Sequence, residues 1–546
     1  MLKRKRMLSL LLAAGLLAGC ATAEDTAAST AQESSSGAET AESAAEEAEA
    51  AAGEQSNYNE TGYPIVKEPV SYEFMYCSNY LTDPNTESGF VKMMEEKTNV
   101  HMDWQIISSA DKETKLNLMW ASEDKPDCIA NLLSSSEIIK YGKAGILLDL
   151  KPYMTEEYMP NFMKALESYP DLLTALDVDG AIYSLPVCEP KYWNTYEGCF
   201  INTEWLDNLG LSVPTTIDEF YDVLVAFRDN DCNGNGDPDD EIPFAYSITY
   251  ASPLPGWFGT GNGVIFMDGK VVYSEATENY KEYVKFLNKL WENNLMDPEA
   301  FTMDGATFLA KSKEDVVTYG VAVGTAPSRF FTAENCEQYE ILLPCDTGAE
   351  TVGTTKSSYG DVYYDLTKGA IFADAQNPEI LLRWFDTLYD PYYGWQVGKG
   401  DLGGILKEAE DGSFVYNEEI PEEYNDWTEW MNYTHPQQLP SLRDRSATAD
   451  YFNSMGVRPE YIAVHEAVKD YYFYEVMPYS ITTMEEQSVY DKYEVDLKKY
   501  TSEKFAAWVT GAADIDAEWE DYLNTLNTMG LEEYLTAKQA QYDRLQ

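Results

Sequence analysis

Basic residues are scarce in this chain. Against 94 Asp and Glu there are 38 Lys and Arg, a formal net charge of −56. A surface of that sign repels nucleic acid and anionic lipid, which excludes both as partners of the folded part. Histidine is scarcer still: His101, His435 and His465 lie far apart, and no Cys-x-x-Cys occurs, so there is no sequence-local zinc signature. Besides Cys20 there are seven cysteines, Cys77, Cys128, Cys188, Cys199, Cys232, Cys336 and Cys345. An odd number without tight spacing is not a disulfide framework. Cys188/Cys199 and Cys336/Cys345 are candidate pairs, and reduced thiols are the alternative. No Gly-x-Ser-x-Gly, His-Glu-x-x-His or phosphate-binding loop appears. A glycosidase would need two carboxylates at a defined separation, and 94 acidic residues single out no pair.

The N-terminus carries the most specific signal. Lys3, Arg4, Lys5 and Arg6 precede the apolar run Met7–Ala18, which has the length of a signal-peptide core and is too short to span a bilayer. The run closes in Leu17, Ala18, Gly19 and Cys20, which resembles a bacterial lipobox. That resemblance implies a signal peptide over 1–19, lipidation of Cys20, and an extracellular protein held to the cytoplasmic membrane of a Gram-positive-type bacterium by this anchor only. Residues 20–60 are Ala, Ser, Thr and Glu with almost no large apolar side chains, a disordered acidic linker. The remaining 61–546 exceeds one average domain, so two lobes are expected, and 44% apolar content supports a sizeable core. The 41 Tyr and 12 Trp suit sugar stacking but are equally ordinary core material.

Tyr72–Tyr76 alternates as a first strand, Ser88–Lys97 has a helical period, and Val100–Ile107 alternates again. Lys112–Trp120 reads as a helix and Pro126–Ala130 as a short buried strand. This β-α-β-α-β order predicts an α/β lobe with a parallel sheet. Thr216 and Glu219 form a capping box before a helix to Arg228. Thr277–Asn293 is amphipathic, Asn377-Pro378 is expected to cap another helix, and Asp491–Val509 and Asp516–Gln541 are helical in pattern.

Directly after the Thr216 helix comes the sharpest local motif. Asp231, Asn233 and Asn235 alternate around Gly234 and Gly236, and Asp237, Asp239, Asp240 and Glu241 follow. Ca²⁺ takes six to eight oxygen ligands, and an EF-hand-like loop supplies them in this alternation. Counted from Asp231, the ligands are its side chain, those of Asn233 and Asn235, the Asp237 carbonyl, and carboxylates at Asp240 and Glu241. No Glu stands at the twelfth position, so the strict EF-hand pattern is broken and a plain acidic loop is the alternative. Calcium here would be structural, since the loop lacks the rest of a catalytic constellation.

Phe200–Leu211, Val213–Phe220, the loop ending in Glu241-Ile242-Pro243, Ile182–Pro186, the helix after Pro378, Phe505–Gly511 and Gly530–Tyr534 together resemble the family 1 extracellular solute-binding proteins. More narrowly they resemble the large lipoprotein-type members that feed carbohydrate ABC importers. The likeness covers roughly 70–546 and is strongest over 182–243. It implies a two-lobed, periplasmic-binding-protein-like type II α/β fold with a hinge and a central cleft. Lobe 1 is expected over about 70–187 plus about 365–440, and lobe 2 over about 190–360 plus about 445–546. The implied function is capture of a carbohydrate, an oligosaccharide in preference, by hinge closure and delivery to permease subunits, without catalysis and as a monomer. The acidic surface and the few arginines favour a neutral oligosaccharide over a uronate, with a peptide or another polar solute as the alternative. Some members that bind acidic oligosaccharides carry calcium in the equivalent loop, with the acidic pair one residue earlier, so Asp239 is an alternative to either of the last two ligands.

A sugar cleft needs aromatic platforms and convergent hydrogen-bonding groups. Positions after strands and near lobe crossings nominate Asn79 and Tyr80, Tyr192 and Trp193, Trp257 and Asn262, Arg329 and Trp395. Two other readings stay open: a secreted glycan-acting hydrolase, and a lipoprotein that senses or adheres without transport.

Overall fold

Strand β1, Val70–Cys77, begins with outward Ser71 and Glu73 alternating with buried Tyr72 and Phe74, then turns fully buried from Phe74 to Cys77. That change marks a strand entering the middle of a sheet covered on both faces. In this computed structural model the described residues are 57–545 apart from 82, 123, 191–197, 247–251, 304, 314–315, 325–326, 328–330, 356–361, 409, 411–413, 418, 425–426 and 444–458. Cys20, the linker up to residue 56, Tyr192, Trp193 and Arg329 lie outside them. The expected disorder up to residue 60 is corrected for its last four residues: Tyr58 bridges to Val66, and Asn57 exchanges hydrogen bonds with Glu68 at 2.8 and 2.9 Å.

β1 pairs in parallel with β2 (Val100–Ile107) on one side and β3 (Cys128–Ala130) on the other. β4 (Leu185–Pro190), β11 (Val362–Ile371) and β14 (Ser441–Leu442) complete a six-stranded sheet in the order β14-β4-β11-β3-β1-β2. The expected parallel sheet is therefore mixed: β11 runs antiparallel to both β3 and β4. A second, four-stranded sheet has the order β10-β5-β9-β6, from Tyr339–Leu342, Gly198–Asn202, Tyr319–Gly324 and Ile242–Ala245. Two small hairpins are β7–β8 (Val264–Met267, Lys270–Tyr273) and β12–β13 (Leu406–Glu408, Phe414–Tyr416).

Each large sheet has its own core. Phe74, Phe90, Phe162, Trp384 and Phe385 lie in the first. Phe200, Trp205, Phe227, Phe244, Trp257 and Trp508 lie in the second. The C-terminal stretch serves mostly the second, but Ile481 packs in the first core and donates its N–H to the Ala175 carbonyl at 2.8 Å.

Helices begin where local chemistry lets them. Thr216 accepts from the Glu219 amide at 3.2 Å while the Glu219 carboxylate accepts from the Thr216 amide at 3.2 Å, the reciprocal pair expected for Ile217–Asp229. Asn377 does not cap through its side chain; it stands in the left-handed region at φ 49°, and Pro378 opens Pro378–Thr387. The C-terminal helical stretch is broken into Ile515–Thr528 and Leu531–Arg544 by Gly530, whose φ of +99° favours glycine. All seven described cysteines are free and all but Cys336 are buried, so neither candidate disulfide pair is formed.

The helix Pro160–Ser168 has no side-chain cap of its own. Its first amides are met from Pro378–Thr387 instead: Asp386 accepts from Phe162 N at 2.9 Å, Asn161 N at 3.2 Å and Asn161 Nδ2 at 3.0 Å. Burial pushes the Asp386 carboxyl up to about 7 despite these donors. The folded chain therefore holds this proton more tightly than the unfolded one. The stability from that preference is complete below about pH 4 and lost as pH rises through about 7. As pH rises from 4 to 8 the unfolding free energy of the wild type is expected to fall by on the order of 4 kcal/mol relative to that of Asp386→Asn, whose amide cannot ionise. Parallel curves would remove burial as the dominant influence on Asp386.

Candidate functional site

The acidic loop links Ile217–Asp229 to β6 and is organised by its own side chains. Asp231 Oδ2 accepts from Gly236 N at 3.0 Å, Asn233 Oδ1 from Asn235 N at 3.0 Å, Asn235 Oδ1 from Asp237 N at 2.7 Å, and Asp237 Oδ1 from Asp239 N at 3.3 Å. Counted from Asp231, the glycine an EF-hand loop requires at position six is Gly236, at φ +92°. Asp240 bridges the two asparagines, accepting from Asn233 Nδ2 at 3.0 Å and Asn235 Nδ2 at 2.5 Å. Glu241 reaches back so that Oε1 accepts from Cys232 N at 2.7 Å and Asn233 N at 3.3 Å, while its Oε2 is buried without a partner. Burial, offset in part by those amides, raises the Glu241 carboxyl above the usual range. Among the described residues no three acidic, histidine or cysteine side chains gather as a metal-holding group. The loop nonetheless fits a hard cation: its side chains and the Asp237 carbonyl offer oxygen donors, and Glu241 Oε2 is an acceptor left unused.

The second candidate is an edge of the six-stranded sheet. In open sheets of this kind ligands bind beyond the carboxyl ends of the parallel strands. β1, β3, β4 and β14 all end on one side, and antiparallel β11 brings Asp365–Lys368 to the same place. Asn131, in the left-handed region at φ 56°, donates from Nδ2 to the Cys77 carbonyl at 3.1 Å. Lys368 donates to Asn131 Oδ1 at 2.9 Å and pairs with Asp365 at 2.9 Å, with side chains 12% and 24% exposed. Arg443 donates to the Gln437 carbonyl at 2.6 Å and lies 3.7 Å from Glu189. None of these five was nominated from the sequence. Asn131 directly follows a readable strand and was within reach; the others needed the non-local pairing of β11 and β14.

Of the nominated contacts, Asn79 and Tyr80 fall at this edge, after β1. Asn79 is partly committed, its Oδ1 accepting from Ser109 N at 2.7 Å. Tyr80 is 49% exposed. Trp257 requires correction: it is 1% exposed, edge-on to Phe220 at 5.4 Å in the second core, with no ring face left for a solute. Trp395, also 1% exposed, packs with Ile405, Leu406 and Met431 and is corrected likewise. Asn262 is exposed on the wall of a cavity of about 730 Å³ shared with Tyr273, Glu275, Tyr490 and Lys538.

The family model for bacterial extracellular solute-binding proteins matches residues 83–312. The fructooligosaccharide ABC transporter substrate-binding protein FusA of Streptococcus pneumoniae is 30% identical over 517 residues, 89% of this chain and 92% of FusA. The chain belongs to the family 1 extracellular solute-binding proteins. The structure of FusA with kestose superposes with a TM-score of 0.73 at 27% identity, covering 87% of this chain and 99% of that one. A FusA EF-hand mutant with fructo-nystose gives 0.72 at the same identity and coverage. A human-milk-oligosaccharide-binding solute-binding protein from Bifidobacterium longum infantis shares the fold, with a TM-score of 0.73 at 20% identity over 88% of this chain and 99% of its own.

In this solute-binding protein the paired charges of the sheet edge also hold it together. Lys368→Met leaves Asp365 and Asn131 Oδ1 without their shared donor and is expected to lower the unfolding free energy by about 2 kcal/mol in denaturant titration. An unchanged midpoint would show that the pair carries no structural weight.

Proposed function

We propose that this protein captures a neutral oligosaccharide outside the cytoplasmic membrane and delivers it, unchanged, to the permease of an ABC importer. The observation that carries the reading is the relation to FusA along nearly the whole of both chains. The sheet edge supports the neutral class: Asp365 is matched by Lys368 and Glu189 by Arg443, so these groups present no net charge. In this reading the signal over 1–19 is removed, Cys20 carries the lipid, and 20–56 is the tether. Two lobes, one around each large sheet, close on the solute, and contacts from both sides favour the closed state. Tyr80 contributes from the first lobe, and Tyr192, Trp193 and Arg329 are the contacts proposed beyond it. The protein acts as a monomer and catalyses nothing.

The intact chain mixed with fructo-oligosaccharides is expected to gain stability by about 2.7 kcal/mol at a hundredfold excess over Kd, read as a rise in Tm, with the sugar recovered intact. No shift with any neutral oligosaccharide, or release of shortened products, would overturn the proposal.

We further propose that the loop Asp231–Glu241 holds Ca²⁺ structurally. Support comes from the glycine in position six, the oxygen donors, the unused Glu241 oxygen and the relative studied as an EF-hand mutant. Chelation is expected to lower the Tm of the wild type, and Asp231→Ala to remove the calcium-dependent part of it. A Tm indifferent to chelator would reduce the segment to an acidic turn.

A further inference from the structure

Tyr80 and Tyr433 are the feature that the fold does not explain. Large apolar side chains left in water usually stand singly, and a contiguous group points to a binding surface. Tyr80 is 49% and Tyr433 41% exposed, and their rings meet edge to face at 5.6 Å. No other pair of exposed aromatic rings among the described residues is in such contact. The array continues inward: Tyr424 lies 6.2 Å from Tyr433 and nearly parallel to Trp430 at 6.4 Å. Tyr80 follows the carboxyl end of β1, on the ligand side of the six-stranded sheet, and Tyr433 belongs to the helix Trp427–Thr434. The group is therefore continuous with the edge described above and extends it outward.

Its electrostatic setting narrows the occupant. Glu423 and Glu87 act on the Tyr424 phenol, which burial and these charges together raise above its usual range. Such a setting disfavours an anionic sugar. A tyrosine face carries partial negative charge and attracts the weakly positive C–H face of a sugar ring, while the phenol hydroxyl remains free to bond a sugar hydroxyl.

We propose that Tyr80 and Tyr433 form an outer subsite that grips a neutral sugar unit beyond those held in the cleft, so that affinity rises with chain length. This rests on the oligosaccharide reading above and goes on to specify how longer chains are preferred.

Isothermal titration of the intact chain with the trisaccharide kestose and the pentasaccharide fructo-nystose tests it, using wild type, Tyr80→Ala, Tyr433→Ala and Tyr433→Phe. Wild type is expected to bind the pentasaccharide more tightly. Each alanine variant is expected to lose about tenfold in affinity for the pentasaccharide and none for the trisaccharide. Tyr433→Phe, which keeps the ring face, is expected to keep most of the affinity. Alanine variants that bind both sugars as wild type does, or that weaken both equally, would overturn the subsite while leaving the receptor reading intact. Wild type that binds neither sugar would overturn the fructo-oligosaccharide reading and the subsite with it.

Discussion

Strand β11 holds the first sheet together. It hydrogen-bonds to β3 through Gly369–Ile371 and to β4 through Val362–Asp365 and Gly369, with an irregularity between Asp365 and Gly369. Without it, β2, β1 and β3 on one side and β4 and β14 on the other would be separate ribbons with unpaired edges. The irregularity frees Asp365–Lys368 from strict pairing and turns them to the edge where β1 and β3 end. The Asn131 amide bonds the Lys368 carbonyl at 2.9 Å, and the Ser184 hydroxyl bonds that of Leu366 at 2.6 Å, so neighbouring segments lock the distortion from both sides. β11 is also where the chain returns after building the second sheet. The strand that completes the first sheet thus carries one of the chain's passages between the two sheets.

A common device joins the acidic loop to the helix caps. In a chain so rich in carboxylates, many are spent on backbone amides: Glu219 at a helix start, Asp386 on the helix of another segment, Asp231 and Glu241 within the loop. Each meets amides that have no other partner. The loop differs in that one oxygen, Glu241 Oε2, is left over inside it. A cation there would neutralise the excess of negative charge and tie the end of Ile217–Asp229 to the start of β6.

What could be read from the sequence was whatever is decided locally. The alternation of Tyr72, Phe74 and Tyr76 and the Thr216–Glu219 pair depend on neighbours a few residues away, and both appear where expected. Asn377 misled because its backbone, held in the left-handed region, cannot present the side chain as a cap. Trp257 misled because a glycine-rich aromatic stretch reads the same whether it lines a cleft or fills a core; only the Phe220 packing decides. Arg443 follows a strand two residues long, too short to register as a pattern. Tyr433 is one aromatic among 41 tyrosines until the fold sets it beside Tyr80.

The free cysteines have a consequence for how the molecule meets its surroundings. Burial lifts the Cys128 and Cys199 thiols well above their ordinary range and pushes Cys232 and Cys345 up to about 12. Alkylating agents and peroxides attack the thiolate, so these side chains are close to inert while the chain is folded. Once the chain opens they become ordinary thiols and stay marked by whatever they meet. A thiol-reactive dye would accumulate at these sites only on molecules that have unfolded, giving the protein an internal record of its own opening.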